Sequence, residues 1–121
     1  MIKTKDEKTF SDLEFKDHAH HADGIQARLD LDNGFEISVV SMKNREKPFG
    51  GLYGNASEGT YEVAVFHKGN LTPLCKYDDV LGWQDKVAIT RLMKEVQVNS
   101  TAWLKLLQEI RDEYNAELLK D

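Results

Sequence analysis

Glu58-Gly-Thr-Tyr61-Glu-Val63-Ala-Val65-Phe-His67-Lys-Gly69-Asn-Leu71-Thr-Pro73-Leu-Cys75-Lys-Tyr-Asp78-Asp79-Val-Leu-Gly82-Trp83 divides the chain. Tyr61, Val63, Val65 and His67 alternate with Glu62, Ala64 and Phe66. Residues two apart share a face of an extended chain, and β-branched and aromatic side chains suit that pleated surface. The pattern predicts a strand. Lys68-Gly69-Asn70 is turn chemistry, because glycine and asparagine tolerate positive φ. Leu71 to Leu74 is expected to return antiparallel. Pro73 lacks an N–H, so that return is short or at a sheet edge. Asp78-Asp79 then leads to a bend at Gly82, and a helix is expected from near Asp85.

Upstream, the pattern is extended. Met1 to Lys8 is polar and reads as a frayed end. Phe10, Leu13 and Phe15 alternate within Thr9 to Phe15, which predicts a first strand. Asp17 to Gly24 is polar turn composition. Ile25, Ala27, Leu29 and Leu31 then share one face, with Gln26, Arg28 and Asp30 opposite. Asp32-Asn33-Gly34 is a strong hairpin signal, since Asn-Gly suits a type I′ turn. Phe35, Ile37, Val39 and Ser41 line the partner strand. Met42 to Gly59 is irregular and holds Pro48, Gly50, Gly51, Gly54 and Gly59. Long connections of this kind are uncommon in compact domains and are often functional.

Downstream, the pattern is helical. Asp85 can accept from the first free N–H groups of a helix. Ile89, Leu92, Met93 and Val96 follow at the spacing of one helix face. Asn99 and Ser100 mark a second start. Trp103, Leu107, Ile110 and Tyr114 repeat at three and four, flanked by Leu106 and Leu118. The order is β-β-β-loop-β-β-α-α. It predicts an α+β fold: an antiparallel β-sheet in the N-terminal two-thirds, with two C-terminal α-helices packed on it. The expected unit is a single domain over 1–121. The second helix is apolar on more than one side. Either one core takes all of these residues, or a homo-oligomer covers the remainder.

Charged residues make up 31% of the 121, and the net charge is −5. An acidic chain disfavours duplex nucleic acid, whose phosphates need a basic face. A local basic pocket for a small anion is still compatible with that charge. The lone Cys75 allows no intrachain disulfide and fits a reducing cytoplasm. There is no apolar run of roughly 18 residues and no signal-peptide pattern, which disfavours a membrane role.

Several side chains could carry chemistry, each with a plainer alternative. His18, His20 and His21, with Asp17 and Asp23, offer imidazole ligands. They lack ordered zinc-site spacing and read more simply as a solvated turn. The glycine-rich connection carries Arg45, Lys47, Phe49, Tyr53 and Asn55. Glycines admit an anion to backbone N–H groups, arginine pairs with phosphate oxygens, and aromatic faces take a base. This predicts a ligand lid; the alternative is a mobile hairpin connection. Arg28 could reach a ligand or be salt-bridged on the sheet. Trp83 could stack on a base or cover the sheet edge. Asp78 and Asp79 suit an acid–base pair or a turn. Cys75 with His67 could form a nucleophilic pair; a buried, inert thiol is the plainer alternative.

No phosphate-loop, dinucleotide, G-x-S-x-G, H-E-x-x-H or C-x-x-C motif occurs. No catalytic residue, metal or cofactor is therefore expected.

The runs Phe35-Glu-Ile-Ser-Val-Val, Gly59-Thr-Tyr-Glu-Val-Ala-Val and Asp78-Asp-Val-Leu-Gly-Trp, followed by an amphipathic helix, resemble small proteins of tailed bacteriophages. The similarity spans residues 24–97. The family most resembled is the phage anti-Thoeris nucleotide sponge. That resemblance implies an N-terminal antiparallel sheet, C-terminal helices and a homo-oligomer in the host cytoplasm. It implies sequestration, without cleavage, of cyclic ADP-ribose signals made by TIR-domain enzymes.

Side-chain chemistry here, rather than the family, selects the expected ligand residues. Arg28 and Arg45 are expected at phosphates, Phe49, Tyr53 or Trp83 at a base, and Asn55 on the same loop. A second expectation is a phage protein–protein inhibitor of the anti-CRISPR kind, docking through an acidic face. An enzyme using the aspartates or histidines ranks last.

Overall fold

The computed structural model describes residues 7–32, 34–44, 52–74 and 79–119. Within them the expected α+β arrangement is present. An antiparallel sheet of six strands fills the N-terminal part, and two helices follow. The strands are β1 (Lys16–Asp17), β2 (Gly24–Asp32), β3 (Phe35–Met42), β4 (Tyr61–His67), β5 (Asn70–Leu71) and β6 (Val80–Gln84). The helices are α1 (Lys86–Val98) and α2 (Ser100–Leu119). The sheet runs β1-β2-β3-β4-β5, and β6 also pairs with β4. β5 meets β4 at Phe66 and His67, whereas β6 meets it from Tyr61 to Ala64. The two short strands therefore share one edge of β4.

The period-two reading places the core correctly. Ala27, Leu31, Phe35, Ile37, Val39, Tyr61, Val63 and Val65 are buried on one sheet face. Ile89, Met93 and Val96 of α1 close over them. Register ties the strands together: Val39 lies between Ala27 of β2 and Val63 of β4. Asp85 caps α1, its carboxylate accepting from the Ala88 N–H at 2.8 Å. This satisfies one of the donors that a helix start leaves unpaired.

Two expected elements differ. Thr9 to Phe15 is not a strand. Phe10–Asp12 is a 3-10 turn in which the Thr9 N–H donates to the Asp12 carboxylate at 2.7 Å. Its apolar residues still point inward: Phe10 and Phe15 pack on Tyr61, with ring centroids 5.0 and 5.5 Å away. The alternation arose from a strap, held to α1 by Gln97, whose amide bonds both the N–H and the carbonyl of Lys8. The bend expected at Gly82 is instead strand β6, with a bulge opposite Tyr61 to Val63.

The turn after β4 has the expected place with a shifted conformation. Positive φ falls on Lys68 (51°) and Gly69 (83°), while Asn70 is already in β5. The short edge strand expected before Pro73 is present.

α1 and α2 differ in burial. α2 has no fully buried residue. Its apolar stripe lies half-covered, with Trp103 edge-on to Phe35 at 6.1 Å. Further along, Arg111 bonds Asp79 at 2.7 Å. No described helix is long and apolar enough to cross a membrane.

Candidate functional site

The residues expected to hold a ligand fall in three places. Arg28 projects from the sheet face opposite the core. There its guanidinium pairs with Glu36 and lies 5.0 Å from the centre of the Phe66 ring. This is the salt-bridged sheet alternative. Asn55 is buried and structural: its side chain accepts from the Ser57 N–H, and its carbonyl accepts from Glu58 and Thr60. Arg45 and Phe49 lie outside the described residues, as do Cys75 and Asp78.

Tyr53 and Trp83 are brought together. The Trp83 N–H donates to the Tyr53 carbonyl at 2.8 Å, and the Tyr53 N–H donates to the Glu62 carboxylate at 3.0 Å. Both residues are exposed, at 58% and 51%. Two glycines make this crossing possible. A Cβ on Gly82 would stand 2.6 Å from the Tyr53 Cβ, and one on Gly54 would stand 2.8 Å from the Tyr61 Cα. Trp83 itself has φ 59°, unusual for a bulky side chain. The far end of the glycine-rich connection is thus packed across the sheet end from Leu52 onward.

His18, His20 and His21 cluster on the β1–β2 turn. The His18 ring is edge-on to His21 at 4.8 Å and to His20 at 6.0 Å. Its Nδ1 accepts the His20 N–H at 3.0 Å, which occupies one lone pair. Burial, then the neighbouring His21 and His20, holds its pKa below the usual imidazole value. No group of three metal-binding side chains with suitable geometry occurs among the described residues.

A concavity lies elsewhere. A groove of about 970 Å³ separates the β4–β5 hairpin from α2. The sheet wall presents Phe35, His67, Asn70, Leu71, Thr72 and Pro73. The helix wall presents Ser100, Thr101, Leu104, Lys105, Gln108 and Glu109. Each wall has a local cause. The tight turn at Lys68-Gly69 folds Asn70 and Leu71 back beside His67, and Pro73 ends their pairing. On α2, Thr101, Lys105 and Glu109 recur every fourth residue and so share a face.

The chemistry of the groove is mixed. His67 stacks on Phe35 with ring centroids 4.3 Å apart. The Thr72 hydroxyl is committed to the Val65 carbonyl at 2.9 Å, and Gln108 donates to Asp112 at 3.0 Å. Lys105 forms no ion pair among the described residues. The first N–H groups of α2 are those that a helix start leaves without an intrahelical acceptor, and they carry the positive end of its dipole. A planar face, a free cation and these donors together suit a small anion attached to a ring.

Sequence reasoning missed this groove. Of its helix wall only Ser100 enters the sequence reading, as a helix start, and His67 is paired there only with Cys75. The available signal was a polar ridge beside a turn that returns the chain.

No family model, curated protein or solved structure matches this chain.

Proposed function

We propose that this chain is a phage-encoded anti-defence protein that binds and sequesters a small anionic nucleotide signal of the cyclic ADP-ribose type, without cleaving it. The site is the groove between the β4–β5 hairpin and α2. One observation carries the reading: a concavity of ligand size that joins a stacked ring pair to an uncommitted lysine and a helix start. Pockets for small ligands commonly enclose 300–1,000 Å³ with a few convergent polar groups. The resemblance to nucleotide sponges points the same way. On this reading the protein works in the host cytoplasm as a homo-oligomer. Leu106, Leu118 and Leu119, exposed along α2, are available for such a contact.

The test is a thermal-shift screen of untagged protein with cyclic ADP-ribose and ADP-ribose, read beside its solution mass. Binding to the folded state alone raises apparent stability. The ligand released by heating is expected to be intact; recovery of a cleaved product would defeat the sponge reading.

A second reading has its own support. Tyr53 and Trp83 are exposed side by side at one corner of the sheet, and these residue types dominate interface hot spots. They suit a protein–protein inhibitor of a host target. Co-purification of one host protein, lost in Trp83→Ala and accompanied by no small molecule, would favour it.

A further inference from the structure

The groove has two unlike ends. Its walls run side by side, because Phe35 touches Trp103 near one end and Asp79 bonds Arg111 beyond the other. The ring pair, Asn70, Ser100 and Thr101 therefore share the first end. Pro73 and Glu109 share the second. Ser100 and Glu109 are separated by about 14 Å along the helix, at 1.5 Å per residue. Lys105 stands between them, one turn from each of Thr101 and Glu109. The charge therefore changes along the cleft: backbone N–H groups at one end, the Lys105 cation in the middle and a carboxylate at the other.

We infer that the groove holds its ligand in one direction, with the anionic group toward Thr101 and Lys105 and a hydrogen-bond-donating group toward Glu109. The inference rests on the proposed function and adds the ligand's polarity to it. A ligand anionic throughout meets Glu109 unfavourably. A ligand whose ring carries an amino group, with phosphate at the opposite end, matches both ends. An ionised carboxylate only accepts hydrogen bonds, so it rejects a carbonyl presented at the same place.

ADP-ribose and its counterpart with an unsubstituted purine separate these demands. They differ only in the exocyclic amino donor, which is replaced by hydrogen, and no ring N–H takes its place. Titration calorimetry on the full chain is expected to show ADP-ribose bound about tenfold more tightly, the scale of one charge-assisted hydrogen bond. Glu109→Gln removes the preference, because a side-chain amide can donate as well as accept. Lys105→Gln weakens both ligands by a similar factor and lowers the salt dependence. Both side chains are exposed, and circular dichroism checks that each variant folds.

Measurable binding whose preference is unchanged in Glu109→Gln overturns the polarity and leaves the proposed function standing. Binding unchanged in Lys105→Gln overturns it as well. Failure of the wild-type chain to bind either compound overturns the polarity, and failure to bind cyclic ADP-ribose as well removes the proposed function.

Discussion

Gly54 carries more structural weight than its position in an irregular segment suggests. It passes so close to Tyr61 and Ser41 that any side chain collides with backbone as well as with a hydroxyl. Gly54→Ala is expected to lower stability by about 1–3 kcal/mol, the usual cost of overpacking, as read from urea denaturation midpoints. Gly59→Ala meets nothing within 4 Å and suffers only its positive φ of 76°, so it should cost less.

His18 makes a different prediction. Its pKa is lowered in the folded chain from 6.5. As pH falls below about 6.5 the unfolded chain takes up this proton first, so the folded state loses stability until His18 itself titrates. Denaturation midpoints should therefore fall between pH 7.5 and 5.5. His18→Asn keeps an acceptor for the His20 N–H and should reduce the slope.

Single positions also mark where sequence reading stops. Arg28 had two readings, and only the register that sets it diagonal to Glu36 and beside Phe66 decided between them. Asn55 read as lid chemistry, yet it serves the 3-10 turn at Ala56–Glu58.

Elements with a strong internal period were legible. The β2–β3 hairpin and α1 carry uninterrupted alternation or three-four spacing, and each has local chemistry at its boundary. Asp85→Ala should cost about 1 kcal/mol by removing the α1 cap. The two helices differ in what their apolar residues do. Ile89 is wholly buried, so Ile89→Ala should cost about 2–5 kcal/mol. Leu106 is 56% exposed, and Leu106→Ala should stay within about 0.5 kcal/mol in the monomer. A larger effect that grows with protein concentration would indicate that α2 is buried against another copy.

Weak elements were misread for a physical reason. Phe10 and Phe15 read as strand anchors because both reach Tyr61, and a packed strap needs inward residues as a strand does. β6 is five residues long and interrupted by Gly82 and the left-handed Trp83. Its extended form depends on pairing with β4, which no local pattern reveals.

At the scale of the molecule, one face of the sheet is covered by α1 and partly by α2, and the groove opens where α2 leaves the core. Any anion held there meets a protein of net charge −5, so Lys105 and the helix start act against the overall field. Association should slow at low ionic strength, where that field is least screened, while salt weakens the contact to Lys105. Stopped-flow binding of ADP-ribose at 20 and 200 mM salt should separate these effects. An association rate that falls as salt is added would mean that the local cation outweighs the net charge.

The sequence by itself determined the fold class, the central hairpin, the core face of β4 and the start of α1. Each of these follows from periodicity and capping between residues close along the chain. Only the tertiary structure decided that His67 and Asn70 face Thr101 and Lys105 across a cleft, and that Tyr53 meets Trp83. Those neighbours are brought together by strand order and helix placement, which depend on how the whole core packs.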